Sequence, residues 1–90
     1  MGQKSEITWK RRTDDGEKLE VNARFIGAEW RFYQRNRRFD QWQQFPAPPL
    51  EDWLTLLDGV ERRIQRRLMK PEEGPRLRKL IKEKFPQADG

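Results

Sequence analysis

The chain has 90 residues, 39% of them charged, a net charge of +5, and neither cysteine nor histidine. That inventory excludes a disulfide framework and thiolate metal sites. It also withdraws the commonest general base, the thiolate nucleophile and the imidazole ligands, so a non-enzymatic protein without metal or cofactor is expected. The length suits one small domain, which buries only about two-thirds of its unfolded surface. Leu, Ile, Val and Phe number 8, 4, 2 and 5, just above the share of about one-fifth below which chains tend to disorder. Four tryptophans compensate, since each buries about 150–250 Å². No secretory apolar segment follows Met1, and no apolar run approaches the roughly 18 residues that cross a bilayer, so the expectation is a soluble cytoplasmic protein with no membrane partner.

Met1 to Ser5 is expected to be a frayed start. Glu6 to Arg12 alternates, with Ile7 and Trp9 on one side and Thr8, Lys10 and Arg12 on the other. Asp14-Asp15-Gly16 supplies hairpin chemistry, because glycine accepts positive φ. The alternation resumes over Lys18 to Ile26, with Leu19, Val21, Ala23 and Phe25 against Glu20, Asn22 and Arg24. Gly27-Ala28 marks a second turn. Glu29 to Arg35 then sets Trp30 and Phe32 against Arg31, Tyr33 and Arg35. Three strands in meander order give an antiparallel sheet with one apolar face. Arg38 to Gln43 is either a fourth strand or a loop; the spacing of Phe39, Trp42 and Phe45 favours a loop. Phe45-Pro46-Ala47-Pro48-Pro49 reads as a stiff extended connector.

A long helix is expected over residues 49–70. Its apolar stripe is Leu50, Trp53, Leu54, Leu57, Val60, Ile64 and Leu68, three or four apart. Glu51 and Asp52 suit its first turn. Gly59 weakens it by about 1 kcal/mol relative to alanine, without shifting the phase of the stripe. Pro71 ends it, and Pro75 opens a second helix over about 75–85 carrying Leu77, Leu80, Ile81 and Phe85. Gln87 to Gly90 is expected to fray. The fold class is therefore α+β, a three-stranded, or alternatively four-stranded, antiparallel meander with one face covered by two C-terminal helices.

Catalytic constellations are missing. Asp14-Asp15 is ordinary turn chemistry, Glu51-Asp52 ordinary helix-start chemistry, and Asp58 is placed to support Arg62 four residues on. No glycine-rich phosphate loop exists. Binding is the better prospect. Residues 61–85 hold ten basic and four acidic groups, and such an excess suits nucleic acid or an acidic protein.

The first candidate anion site is Arg62, Arg63, Arg66, Arg67 and Lys70, one broad side of a continuous helix in which arginine favours bidentate phosphate contacts. The plainer alternative is arginine stems covering apolar surface. Glu72 and Glu73 are placed to fold back on Arg67 or Lys70. A competing site is the outer sheet face, with Lys10, Arg12, Arg24, Arg31 and Arg35 around Tyr33. It resembles the stacking platforms of single-stranded RNA binders, although such platforms usually present two or more aromatic rings. A third candidate is Phe39, Trp42, Phe45 and Trp53 beside the prolines, which would clamp loop to helix or, if exposed, dock a protein. The expected function is binding of an acidic partner, RNA or a ribonucleoprotein surface before an acidic protein. The alternative is a protein adaptor or homodimer whose basic surface only solubilises.

Overall fold

A computed structural model of the chain describes residues 6–27, 29–37 and 40–88. The fold is α+β: an antiparallel sheet followed by two helices. The chain divides into two compact units, Met1–Pro48 and Pro49–Gly90, each described by itself below. The expected frayed segments before Glu6 and after Ala88, and the expected turn residue Ala28, lie outside the described residues.

In the first unit, β1 (Glu6–Arg12), β2 (Lys18–Ile26), β3 (Glu29–Arg35) and β4 (Gln43–Gln44) pair in sequential order, every pair antiparallel. The two turns fix the register. At the first, the Thr13 N–H donates to Glu17 O (2.9 Å) and the Gly16 N–H to Thr13 O (2.9 Å), with Gly16 at φ 84°. A glycine in this conformation is what a three-residue hairpin loop requires. At the second, Gly27 takes φ 58° between Ile26 and Glu29, the last facing pair of β2 and β3.

Pairing Trp9 with Val21 and Ala23 with Phe32 collects the apolar residues on one face, since side chains alternate along a strand. Leu19, Val21, Ala23 and Phe32 are buried there, and Ile7, Trp9, Phe25 and Trp30 are half-buried. Phe25 and Trp30 sit directly opposite each other with ring centroids 4.9 Å apart. Trp9 meets Phe32 edge to face at 6.1 Å, a favoured aromatic geometry. The fourth strand replaces the expected loop only at Gln43–Gln44, which face Gln34 and Tyr33. Two residues are too few for alternation to reveal a strand. The Phe45 N–H adds a bond to Phe32 O at 2.9 Å.

In the second unit, α1 spans Leu50–Gln65 and α2 spans Glu73–Lys84, followed by a short 3₁₀ turn at Pro86–Ala88. Helix α1 continues through Gly59 but stops well before Lys70, which corrects the expected span. Its last turn closes by two bonds, Arg67 N–H to Ile64 O (2.9 Å) and Leu68 N–H to Arg63 O (2.8 Å). This is the Schellman pattern, and it requires the left-handed conformation that Arg67 adopts at φ 61°. Glycine usually fills that place, and its absence hid the ending from the sequence. α2 starts at Glu73, earlier than Pro75, because a proline is also tolerated elsewhere in a first turn where N–H groups lack helical acceptors.

The buried line of α1 is Trp53, Leu56 and Val60, with Asp52 also fully buried beside it. Leu56 was outside the expected stripe, whereas Leu54 and Leu68, inside it, are 48% and 46% exposed. A helix with this many leucines carries two overlapping stripes, and packing selects one. Helix α2 contributes Leu77 and Ile81. Gly74 permits the close approach: a Cβ there would lie 3.2 Å from Ile64 Cδ1. Arg78 on α2 grips Glu61 on α1, its Nε donating at 2.9 Å. At the other end Lys84 Nζ lies 5.4 Å from the centre of the Trp53 ring. Among the described residues, no helix is long and apolar enough to cross a membrane.

Candidate nucleic-acid interface

The strand register that buries the apolar residues sends the alternate positions to the opposite, polar face. Cross-strand rows follow directly from the pairing: Glu6, Arg24 and Arg31; Thr8, Asn22, Tyr33 and Gln44; Lys10, Glu20 and Arg35; and Arg12 with Lys18. All six residues of the competing sheet site therefore share one face, as the alternation requires.

Several of these side chains are held in defined positions. Asn22 is only 2% exposed and uses both ends of its amide. Its Nδ2 donates to Thr8 Oγ1 (2.8 Å), and its Oδ1 accepts from Arg24 Nε (2.8 Å). The Arg24 guanidinium, 3.7 Å from Glu6 Oε2, lies over the Tyr33 ring with Cζ 4.5 Å from its centre. Glu20 faces both Lys10 and Arg35 but bonds to Arg35, whose Nε donates to Oε1 at 2.6 Å. Both side chains are largely screened from solvent, at 21% and 15% exposure, so this pair resists salt better than a fully solvated one.

Arg35 also brings in a second aromatic ring. Its Cζ stands 4.2 Å from the centre of the Trp42 ring, a cation–π distance. Because Arg35 projects to the polar face, Trp42 joins that face beside Tyr33. The short β4 explains the placement, since it returns the chain alongside β3 immediately after Trp42. The described aromatic residues grouped from the sequence fall in both units. Trp42 stacks on Arg35, Phe45 is half-buried with its N–H on Phe32, and Trp53 is buried in the helical unit. Phe39 lies outside the described residues.

The helix-end site comes out differently. Arg62 and Arg63 lie in the last turn of α1, Arg66 is its C-cap, and Arg67 is the left-handed residue beyond. Lys70 is off the helix, so the five cations do not form one continuous helical side. Arg62 pairs with Asp58 at 3.1 Å, both exposed. Glu73 turns forward to Arg76 (3.4 Å) instead of back to Lys70 or Arg67. Four arginines at a helix C-terminus offset the negative end of the helix dipole. The same dipole opposes a phosphate there.

Alternation in the sequence sets Thr8, Glu20 and Asn22 on this face, though not among the site residues, and only Lys18 was missed as a member of it. The signal was present: a turn centred on Asp14-Asp15-Gly16 folds Lys18 onto Arg12. Among the described residues, no group of three or more acidic side chains is arranged to hold a metal ion. Comparisons with protein-family models, with curated proteins and with solved structures find no match to this chain.

Proposed function

We propose that this chain is a non-enzymatic domain that binds single-stranded RNA on the polar face of its sheet, in the cytoplasm. The observation that carries the reading is the second ring. Tyr33 and Trp42 stand on the same face, each against an arginine, with Lys10, Arg12 and Arg31 around them on that face. Bases stack on such rings irrespective of sequence, while cations beside them meet the phosphates. Pre-positioned side chains lower the entropy lost on binding, and the bonds of Arg24 and Arg35 provide that order. The arginines at the end of α1 are assigned to helix termination.

The test is a filter-binding titration with random-sequence single-stranded RNA and duplex DNA at about 50 and 200 mM salt. Binding to the RNA is expected to weaken about fiftyfold between the two salts if four phosphates are contacted, and Trp42→Ala is expected to remove most of it. RNA binding indifferent to Trp42→Ala would sink the sheet-face reading. No RNA binding at the lower salt would turn attention to a protein partner and to the exposed Leu54.

A further inference from the structure

At the hairpin end of the sheet lies a cleft of about 410 Å³, lined by Lys10, Arg12, Lys18 and Glu20 from the rows of the polar face and by Arg11 and Leu19 from the opposite face, together with Asn36. Its charge is poorly balanced within the protein. Arg12 and Lys18 sit directly opposite each other on β1 and β2, and like charges in facing positions destabilise a sheet. Lys10 faces Glu20, the one carboxylate in the lining, yet that carboxylate is committed to Arg35. Among the described residues, Lys10 and Lys18 have no ion pair. Arg12 is anchored by donating Nη1 to Gly16 O at 2.9 Å, which fixes its guanidinium at the turn and leaves other N–H groups to donate.

We infer that this cleft binds a phosphomonoester dianion, the terminal phosphate of a nucleotide. The inference rests on the RNA reading of the adjoining face in one respect only: the terminal phosphate would belong to a strand lying across Tyr33 and Trp42. Internal phosphodiesters carry one negative charge, whereas a terminal phosphate carries nearly two at neutral pH, with a second pKa of about 6. Two lysines and an anchored arginine with no carboxylate to spare match the dianion. The volume suits a group the size of a nucleotide, within the range of small-ligand clefts. Asn36, just past β3, adds an amide able to bond to a sugar or phosphate oxygen.

The experiment compares one oligoribonucleotide with a 5′-phosphate, a 3′-phosphate or hydroxyl ends, together with adenosine monophosphate, each titrated by fluorescence anisotropy or NMR. Tighter binding of one phosphorylated end, by about tenfold, is expected at pH 7.5, shrinking as pH falls through about 6 and the dianion protonates. Lys18→Gln is expected to remove most of that preference while leaving the melting temperature and the affinity for hydroxyl ends nearly unchanged, whereas Lys10→Gln, which also belongs to the RNA-binding face, is expected to weaken all three oligonucleotides. Equal affinity for all three oligonucleotides, with no binding of adenosine monophosphate, would overturn the cleft assignment and leave the RNA-binding face standing. Adenosine monophosphate binding that shifts Lys10 and Lys18, with no oligonucleotide bound, would keep the cleft as a site for free nucleotides and remove the RNA reading. Silence from every ligand would remove both.

Discussion

The polar face of the sheet and the end of α1 are both rich in arginine, but the residues are held in different ways. On the sheet, Arg24 has a hydrogen bond to Asn22, a carboxylate at Glu6 and the Tyr33 ring, and Arg35 has a hydrogen-bonded carboxylate at Glu20 and the Trp42 ring. At the helix end, Arg62 has a single exposed partner, and Arg66 and Arg67 are exposed residues of the helix termination. Charge counts along the sequence favoured the helix, because they weigh every cation equally. Local geometry favours the sheet, where cations are oriented and rings are available. The lesson is that a cluster of like charge needs a second reason for its arrangement before it is read as a site.

The largest effect that would break this contrast is on RNA affinity. Tyr33→Ala with Trp42→Ala is expected to weaken binding by about a hundredfold or more, since each stacked base contributes about 1–3 kcal/mol. Tyr33→Phe, which keeps a ring, should bind nearly as well as the parent. Arg63→Gln, Arg66→Gln and Arg67→Gln together should cost only a few-fold in the same titration. A reversed order would restore the helix end as the site.

Stability measurements sharpen the comparison. Glu20→Gln removes the carboxylate held by half-buried Arg35 and should destabilise the sheet by about 1–3 kcal/mol, read from urea denaturation. Arg67→Gly relieves a non-glycine residue at φ 61° and is expected to stabilise the protein by about 1 kcal/mol with RNA affinity nearly unaltered. A large loss of affinity in that variant would mean that the strained position serves binding. Smallest is Asp58→Asn, which breaks an exposed helical pair for about 0.3–0.5 kcal/mol in thermal melts.

Much of the fold was legible because it depends on local rules. Alternation and the Asp14-Asp15-Gly16 turn set three strands in register, and prolines bracket the helical segments. The parts that were not legible share a physical cause, the selection by packing among patterns that the sequence allows. Leu50, Leu54 and Leu57 looked as buriable as Leu56, yet α1 turns Trp53, Leu56 and Val60 inward. The left-handed Arg67 gives no glycine signal. Trp42 reads as part of a proline-flanked loop until two residues of strand carry it to Arg35, so the candidate site is legible in the sequence only in part.

The sequential order of strands leaves β1 with no neighbour on its outer side among the described residues. A strand boundary of this kind offers unpaired backbone groups on which another chain can template itself. Here the boundary carries Lys10, Arg11 and Arg12 in succession, and such cations act as gatekeepers against that growth. The residues that line the cleft are thus the same ones that help keep neighbouring molecules from fusing their sheets.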